Sequence, residues 1–306
     1  MKHNSHIYVA YKAIDFLYES LENLHYESGN IASKKRRKDI REKGRDLERL
    51  LKFHKNRVLE ASWAPDGILF DMAQYHTFKL FSKKDFKDAK KFGKEPHEKD
   101  DHTYYRAKGG GGLAFKIDHL SKIISDIIKL RNYNDNYSLE HIMYMFLLLS
   151  HYVVDAHVPM HCDIRDDVPS DKKPQDGVYY EKFKLHNKIE KEWEKACTYV
   201  GVQEEIPGME NADKIAIKNN LIEKVEFDVS NELHRNEIKT YIFKRKSLMR
   251  SVVNICIDSK NRSLILVKSK NPETYDKTIF PDMTREIFSA AIGNLISIWV
   301  CIWAGE

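Results

Sequence analysis

The chain has 306 residues, of which 42% are hydrophobic and 32% charged, and its 51 Lys+Arg against 46 Asp+Glu give a formal net charge of +5. That composition excludes collagen-like, mucin-like and low-complexity chains and argues against a disordered one, and so small a positive surplus does not by itself point to nucleic acid. The 4 cysteines, at 162, 197, 256 and 301, lack the close spacing of a disulfide framework or a zinc ribbon, whereas the 14 histidines are an unusual number.

The chain opens Met1-Lys2-His3-Asn4-Ser5-His6 with no apolar h-region behind it, so the expectation is a chain without a signal peptide. A reduced, cytoplasmic setting follows from that and from the sparse cysteines, with secretion as the alternative if a native N-terminus precedes this one. Ile7, Ala10, Tyr11, Ala13, Ile14, Phe16, Leu17 and Leu21 recur at three- and four-residue steps, one face of a first helix. Residues 32–60 are strongly charged, with leucines at 47, 50 and 51. Their charges alternate in sign, which predicts a solvated amphipathic helix rather than a nucleic-acid surface. Residues 28–60 read as a charged insertion.

Residues 81–112 are polar, carry Pro96 and end in four glycines, a loop excursion of the length that usually has a function or is disordered. Helical periodicity resumes over 113–131, 139–156, 180–199, 213–238, 241–257 and 284–304, and 159–178 form a second loop. Only 263–268 pattern as a strand. The apolar run 287–304 is broken by Ser289, Gly293, Asn294 and Ser297, so it reads as a buried terminal core helix rather than a membrane span. The expected architecture is all-α, a single domain over residues 1–306.

The informative stretch is HYVVDAHVPMHCD. His151 and Asp155 are i and i+4, stacked on one helix face within an otherwise apolar pattern. A buried carboxylate and imidazole need a partner, and a divalent metal takes both as ligands. Pro159 disfavours helix at the residue before it, which frees His161 to leave the helical register. His186 and Glu190 repeat the i, i+4 pairing further on. Two such pairs on separate helices, bridged by another histidine, follow the logic of a multinuclear zinc site in a helix bundle. His157, two residues from Asp155, falls on a different face and is expected to pack rather than ligate.

The segments SHIYVAYKAIDFL, HYVVDAHVPMH and HNKIE closely resemble the zinc-dependent phospholipase C family. They also resemble the related single-strand-specific zinc nucleases of fungi and plants. The resemblance covers roughly residues 1–200. It implies an all-helical bundle around a central cleft holding two or three zinc ions. Carried over by position, His151, Asp155 and the loop aspartate Asp66 serve the first zinc. Their histidine partner is His102 as first choice, with His76 as the alternative. His161, His186 and Glu190 serve the second zinc, and His6 with a bridging Asp155 serves the third. Met1 stands where family members place a tryptophan whose backbone groups are ligands, so its amino group and carbonyl complete that site or leave it weak.

The resemblance further implies a phosphodiester hydrolase in which metal-activated water attacks phosphorus in line, with Asp66 placed to take the water's proton. A phospholipid headgroup is favoured as substrate over single-stranded nucleic acid, because Glu190 and the first-helix match lean towards the phospholipase branch. A monomer with peripheral membrane contact and no transmembrane segment is expected. The alternatives are a single-strand nuclease on the same fold and a non-catalytic helical interaction protein in which zinc is structural or absent.

Overall fold

The structure is a computed structural model that describes residues 3–26, 31–82, 96–100, 104–107, 111–131, 133, 137–163, 185–201, 222–227, 233, 237–267 and 275–305. Helices dominate it, as the periodicity predicts. They are α1 (His3–Ser20), α2 (Lys34–Val58), α3 (Ala64–Gly67), α4 (Leu113–Arg131), α5 (Leu139–Ala156), α6 (Pro159–Cys162), α7 (Leu185–Ala196), α8 (Leu248–Leu266) and α9 (Phe280–Ala304).

Three of these form the centre. In α5 nearly every side chain from Ile142 to Ala156 is buried, as expected of a helix apolar on all sides. In α1, Ile7 to Ala10, Ala13, Ile14, Phe16 and Leu17 are buried. Helix α9 packs against α1, α2 and α5. It alone among the described helices is long and apolar enough to cross a membrane, but 78% of its most apolar stretch is buried inside the fold, so it serves as a core helix. It closes on Gly305 at φ 70, the left-handed cap that glycine tolerates. Gly293 permits another close approach, because a Cβ there would lie 2.1 Å from the Lys239 carbonyl oxygen.

Helix α2 is the amphipathic helix expected of the charged segment. Its residues are charged, but Ile40, Leu47 and Leu51 are buried at helical spacing and Gly44 faces Leu21 of the segment after α1. The apolar stripe docks on α1 and α9, so residues 34–58 form a wall of the bundle. The outward face is solvated, with Arg49–Asp46 and Lys52–Glu48 paired along it.

Short strands accompany the helices: β1 (His25–Tyr26), β2 (Leu80–Ser82), β3 (Pro96–Asp100), β4 (Tyr104–Ala107), β5 (Cys197–Gly201), β6 (Ile222–Phe227) and β7 (Tyr241–Ile242). β1 and β7 pair in parallel, β4 lies between β2 and β3 in an antiparallel sheet, and β5 pairs antiparallel with β6. The 81–112 excursion therefore carries paired strands. Most of the helix expected at 213–238 lies outside the described residues, with 222–227 forming β6, and the helix expected at 241–257 begins at Leu248 as the start of α8, after β7. Residues 263–266 of the expected strand at 263–268 are instead the last turn of α8. Val252, Cys256, Ser259, Ser263 and Leu266 are buried at helical spacing, while Leu264 and Ile265 face solvent. All four cysteines are buried, and none forms a disulfide.

Candidate metal centre

The carboxylate of Asp155 lies at the C-terminal end of α5, and the chain turns immediately beyond it. Val158 is extended at φ −74 and ψ 114, as a residue before proline should be, and Pro159 starts α6. That one-turn helix brings His161 back over Asp155, with His161 Nδ1 3.4 Å from Asp155 Oδ1. Helix α1 supplies His6, whose ring stacks on His151 at 4.0 Å between centroids. Its Nε2 lies 3.5 Å from the same Asp155 Oδ1.

The other carboxylate oxygen faces a second group. Asp155 Oδ2 lies 2.8 Å from His76 Nδ1 and 3.2 Å from His151 Nε2. Those two nitrogens are 3.0 Å apart, and each is 3.6 Å from Asp66 Oδ1. Ligand atoms at about 2.0–2.2 Å from a tetrahedral ion lie about 3.3–3.6 Å from one another. The 3.6 and 3.2 Å spacings to Asp66 and between His151 and Asp155 are close to that range, while the 2.8 and 3.0 Å contacts of His76 Nδ1 are shorter, at hydrogen-bond distance. Beyond His161, Nε2 lies 3.3 Å from Glu190 Oε1. His186, on the same helix α7, places its ring 6.1 Å from that of His161.

Local structure fixes several of these side chains. His151 Nδ1 donates to the Ser62 carbonyl at 3.0 Å, which turns the Nε2 lone pair to the cluster. Asp66 sits in α3, where a Cβ on Gly67 would fall 1.9 Å from the Trp63 ring, so the indole lies flat over the glycine and holds the turn closed. His76 ends a 3-10 turn, and the segment after it is pinned to α6 by the Phe78 N–H donating to the His161 carbonyl at 3.0 Å.

The protonation states of most of these groups suit ligation; His76 is the exception, because burial lowers its imidazole but the hydrogen bond and charge of Asp155 raise it further. Burial holds the His6 imidazole well below its usual pKa, and the nearby His151 adds to the effect. Burial likewise lowers His161, against the pull of Asp155. Burial works against the charge on Asp155, but the groups gathered around it, His151 and His161 among them, hold the carboxyl well below its usual range. Glu190 is depressed in the same way despite its burial, with His161 and His186 contributing. Neutral imidazoles beside ionised carboxylates are the forms a metal ion requires. Neither ring nitrogen of His6 has a hydrogen-bond partner among the described residues, nor does Nδ1 of His161. Buried polar groups are almost always paired, so His6 Nε2 and His161 Nδ1, both facing Asp155 Oδ1, fit a divalent cation.

The structure thus brings together His6, Asp66, His151, Asp155, His161, His186 and Glu190. The first choice for the histidine beside Asp66, His102, lies outside the described residues, and so does Met1. His76, the alternative, occupies that place among the described residues. His157 is a packing residue, its Nδ1 donating to the Val153 carbonyl at 2.8 Å and its Nε2 2.9 Å from Asn294 Nδ2.

Sequence reading missed one neighbour of the cluster. Tyr152, whose ring packs on His76 and His151, donates its hydroxyl to Asp71 Oδ2 at 2.5 Å, and Lys116 Nζ meets the same oxygen at 3.0 Å. The available signal was that Asp71 follows Asp66 by five residues in an otherwise apolar loop.

No family model matches this sequence, and neither does any curated protein. A crystal structure of Clostridium perfringens alpha-toxin isolated from avian strain SWCP is similar at a TM-score of 0.47 and 14% identity, over 99% of this chain and 64% of that one. This chain therefore spans less than two thirds of the length of that protein.

Proposed function

We propose that the protein is a zinc-dependent phosphodiester hydrolase of the phospholipase C type. The observation that carries the reading is the division of one buried carboxylate. Asp155 turns Oδ2 to His76 and His151 and Oδ1 to His6 and His161. A carboxylate shared between two nitrogen sets suits adjacent divalent ions, the arrangement that serves in-line displacement at phosphorus. Such ions, when bound, supply positive charge that acidifies water and offsets the charge building on the phosphoryl oxygens.

The chain's own residues divide the remaining tasks. Asp66, Asp155 and Glu190 neutralise the cations, and His6, His76, His151, His161 and His186 hold them through nitrogen. The donor set of nitrogen and oxygen without sulfur suits zinc, and equally the neighbouring divalent transition metals. Asp66 is the exposed member, its side chain 39% accessible where His151 is 0% and Asp155 1%. It lies at the rim, where a carboxylate oxygen can accept the proton of an attacking water. That open side also weighs against a purely structural zinc site, which is closed by its ligands.

The headgroup preference rests on the resemblance of the HYVVDAHVPMH and HNKIE segments to the phospholipase branch. A nuclease would use a basic groove, whereas some of the cationic side chains of α2 already pair with acids: Arg41 with Glu22, Lys52 with Glu48 and Lys55 with Asp15. The test is Asp155→Asn, assayed on a phosphatidylcholine analogue, single-stranded DNA and bis-p-nitrophenyl phosphate alongside zinc stoichiometry. Hydrolysis should vanish together with at least one equivalent of zinc. Full activity at full zinc content would overturn the reading.

A further inference from the structure

The loop that follows Asp66 turns its apolar side chains outward. Ile68 is 62% exposed, Leu69 54%, Phe70 80% and Met72 53%. Scattered exposed apolar residues are ordinary, but four large ones within five positions form a patch. The loop is also built. The Ile68 and Leu69 N–H groups both donate to the Ala64 carbonyl, at 2.9 and 2.8 Å, and Asp71 N–H donates to the Pro65 carbonyl at 2.9 Å. Its one charged residue points inward, where Asp71 accepts from Tyr152 and its own neighbour's Met72 N–H and pairs with Lys116. Phe70 is held at φ 47, a left-handed conformation that aromatic residues seldom adopt.

We propose that residues 68–72 are a membrane-contacting tip that seats the metal cluster on a phospholipid bilayer. The inference rests on the phosphodiesterase reading and deepens it, naming a lipid surface as the form in which substrate is met. Three observations select this occupant. The tip begins two residues after Asp66, the exposed edge of the cluster, so whatever covers it also faces the open side. A phospholipid joins a phosphodiester to acyl chains and so matches both features. Residues 63–76 contain no lysine or arginine to meet a nucleic-acid backbone, and three of the four exposed side chains are aliphatic and cannot stack on bases. A convex patch of four side chains falls well short of the roughly 800 Å² per partner that a stable protein dimer buries.

The zinc-loaded full chain and its Leu69→Ser/Phe70→Ser double variant would be sedimented with phosphatidylcholine vesicles. Both would be assayed on the same vesicles and on soluble bis-p-nitrophenyl phosphate. Losing two interfacial apolar side chains should lower vesicle binding by at least about tenfold. Hydrolysis of vesicle lipid should fall in parallel, and the rate on the soluble diester should not change. Phe70→Leu, which keeps an apolar tip, should retain binding. Wild-type protein that stays in the supernatant, a double variant that sediments as well as wild type, or loss of binding without loss of vesicle hydrolysis would overturn the proposal. Retention on a single-stranded oligonucleotide that depends on the same two side chains would overturn it in favour of nucleic acid. Failure of the phosphodiesterase reading shows separately, as zinc-loaded protein that binds vesicles but hydrolyses neither substrate.

Discussion

Breaking the ion pair between Lys260 and Asp163 should cost more than deleting both charges together. Lys260 Nζ lies 2.6 Å from Asp163 Oδ1, with side chains 0% and 1% exposed. Ser263 donates to the other oxygen, and the buried Lys79 donates to the Met160 and Asp163 carbonyls at 2.7 and 3.2 Å. At an effective dielectric of about 20, a pair 2.6 Å apart gains about 6 kcal/mol of Coulomb energy. Desolvating each ion costs several kcal/mol in the other direction, so the net contribution is small. Removing one partner forfeits the attraction and leaves the other charge buried. Lys260→Met and Asp163→Asn should therefore each destabilise the fold by about 3–5 kcal/mol. The double variant Lys260→Met/Asp163→Leu should lose less than about 2 kcal/mol, a strongly non-additive cycle. Urea unfolding midpoints at fixed pH in chelator supply the numbers, because bound metal would raise apparent stability by mass action. Single variants within about 1 kcal/mol of wild type would refute the reasoning, as would a double variant that costs the sum of the singles.

His76→Gln should remove about one equivalent of zinc while His102→Gln leaves the stoichiometry intact, as read by metal analysis after dialysis; the reverse result would restore His102 to the site. The neutral His157 makes stability depend on acid. Burial lowers its pKa to about 3 from a usual 6.5, so the unfolded chain takes up the proton first. Its contribution is complete above pH 6.5 and is lost as pH falls towards about 3, at roughly 1.4 kcal/mol per pH unit. Between pH 6.5 and 5 the metal-free protein should lose about 2 kcal/mol that a His157→Gln variant does not lose, and equal pH slopes for the two proteins would count against the assignment. Gly293→Ala should destabilise the fold by about 1–3 kcal/mol and so lower the urea midpoint, because its Cβ must push the Lys239 carbonyl away from α9, and an unchanged midpoint would show that the segment yields freely.

The helices that carry the cluster were legible because burial imposes a period. The expected spans 113–131 and 139–156 coincide with α4 and α5. The i, i+4 rule placed His151 beside Asp155, and the observed 3.2 Å between their ligating atoms agrees. His76 was harder to place, because it reaches the cluster through irregular chain. Asp66 lies in a one-turn helix and His76 ends a 3-10 turn, so no periodicity connects them to each other or to α5. Distance along the chain was a poor guide there, since loops of any length can return to the same point. The short strands escaped for a related reason. Two to six residues are too few for alternation to stand out against a helical background.

The Lys260–Asp163 pair was invisible in the sequence because lysine is ordinarily a surface residue. Its position gives a reason for its burial. Asp163 follows His161 by two residues, and Ser259 and Lys260 of α8 tie the α5–α6 turn down at Ala156 and Asp163. The N–H of Phe78 meets the carbonyl of His161 from the other side, in the segment that also carries His76. The strand bridge from Leu80 to Asp163 continues that contact. The two sides of the Asp155 carboxylate are therefore held by one frame. His161 is fixed through α6, His76 through the strand beside it, and the buried pair joins both to α8. An ion pair that adds little net stability still defines a position sharply, because its hydrogen bonds tolerate only a narrow geometry. Ligand atoms that must converge to within a few tenths of an ångström need such a frame.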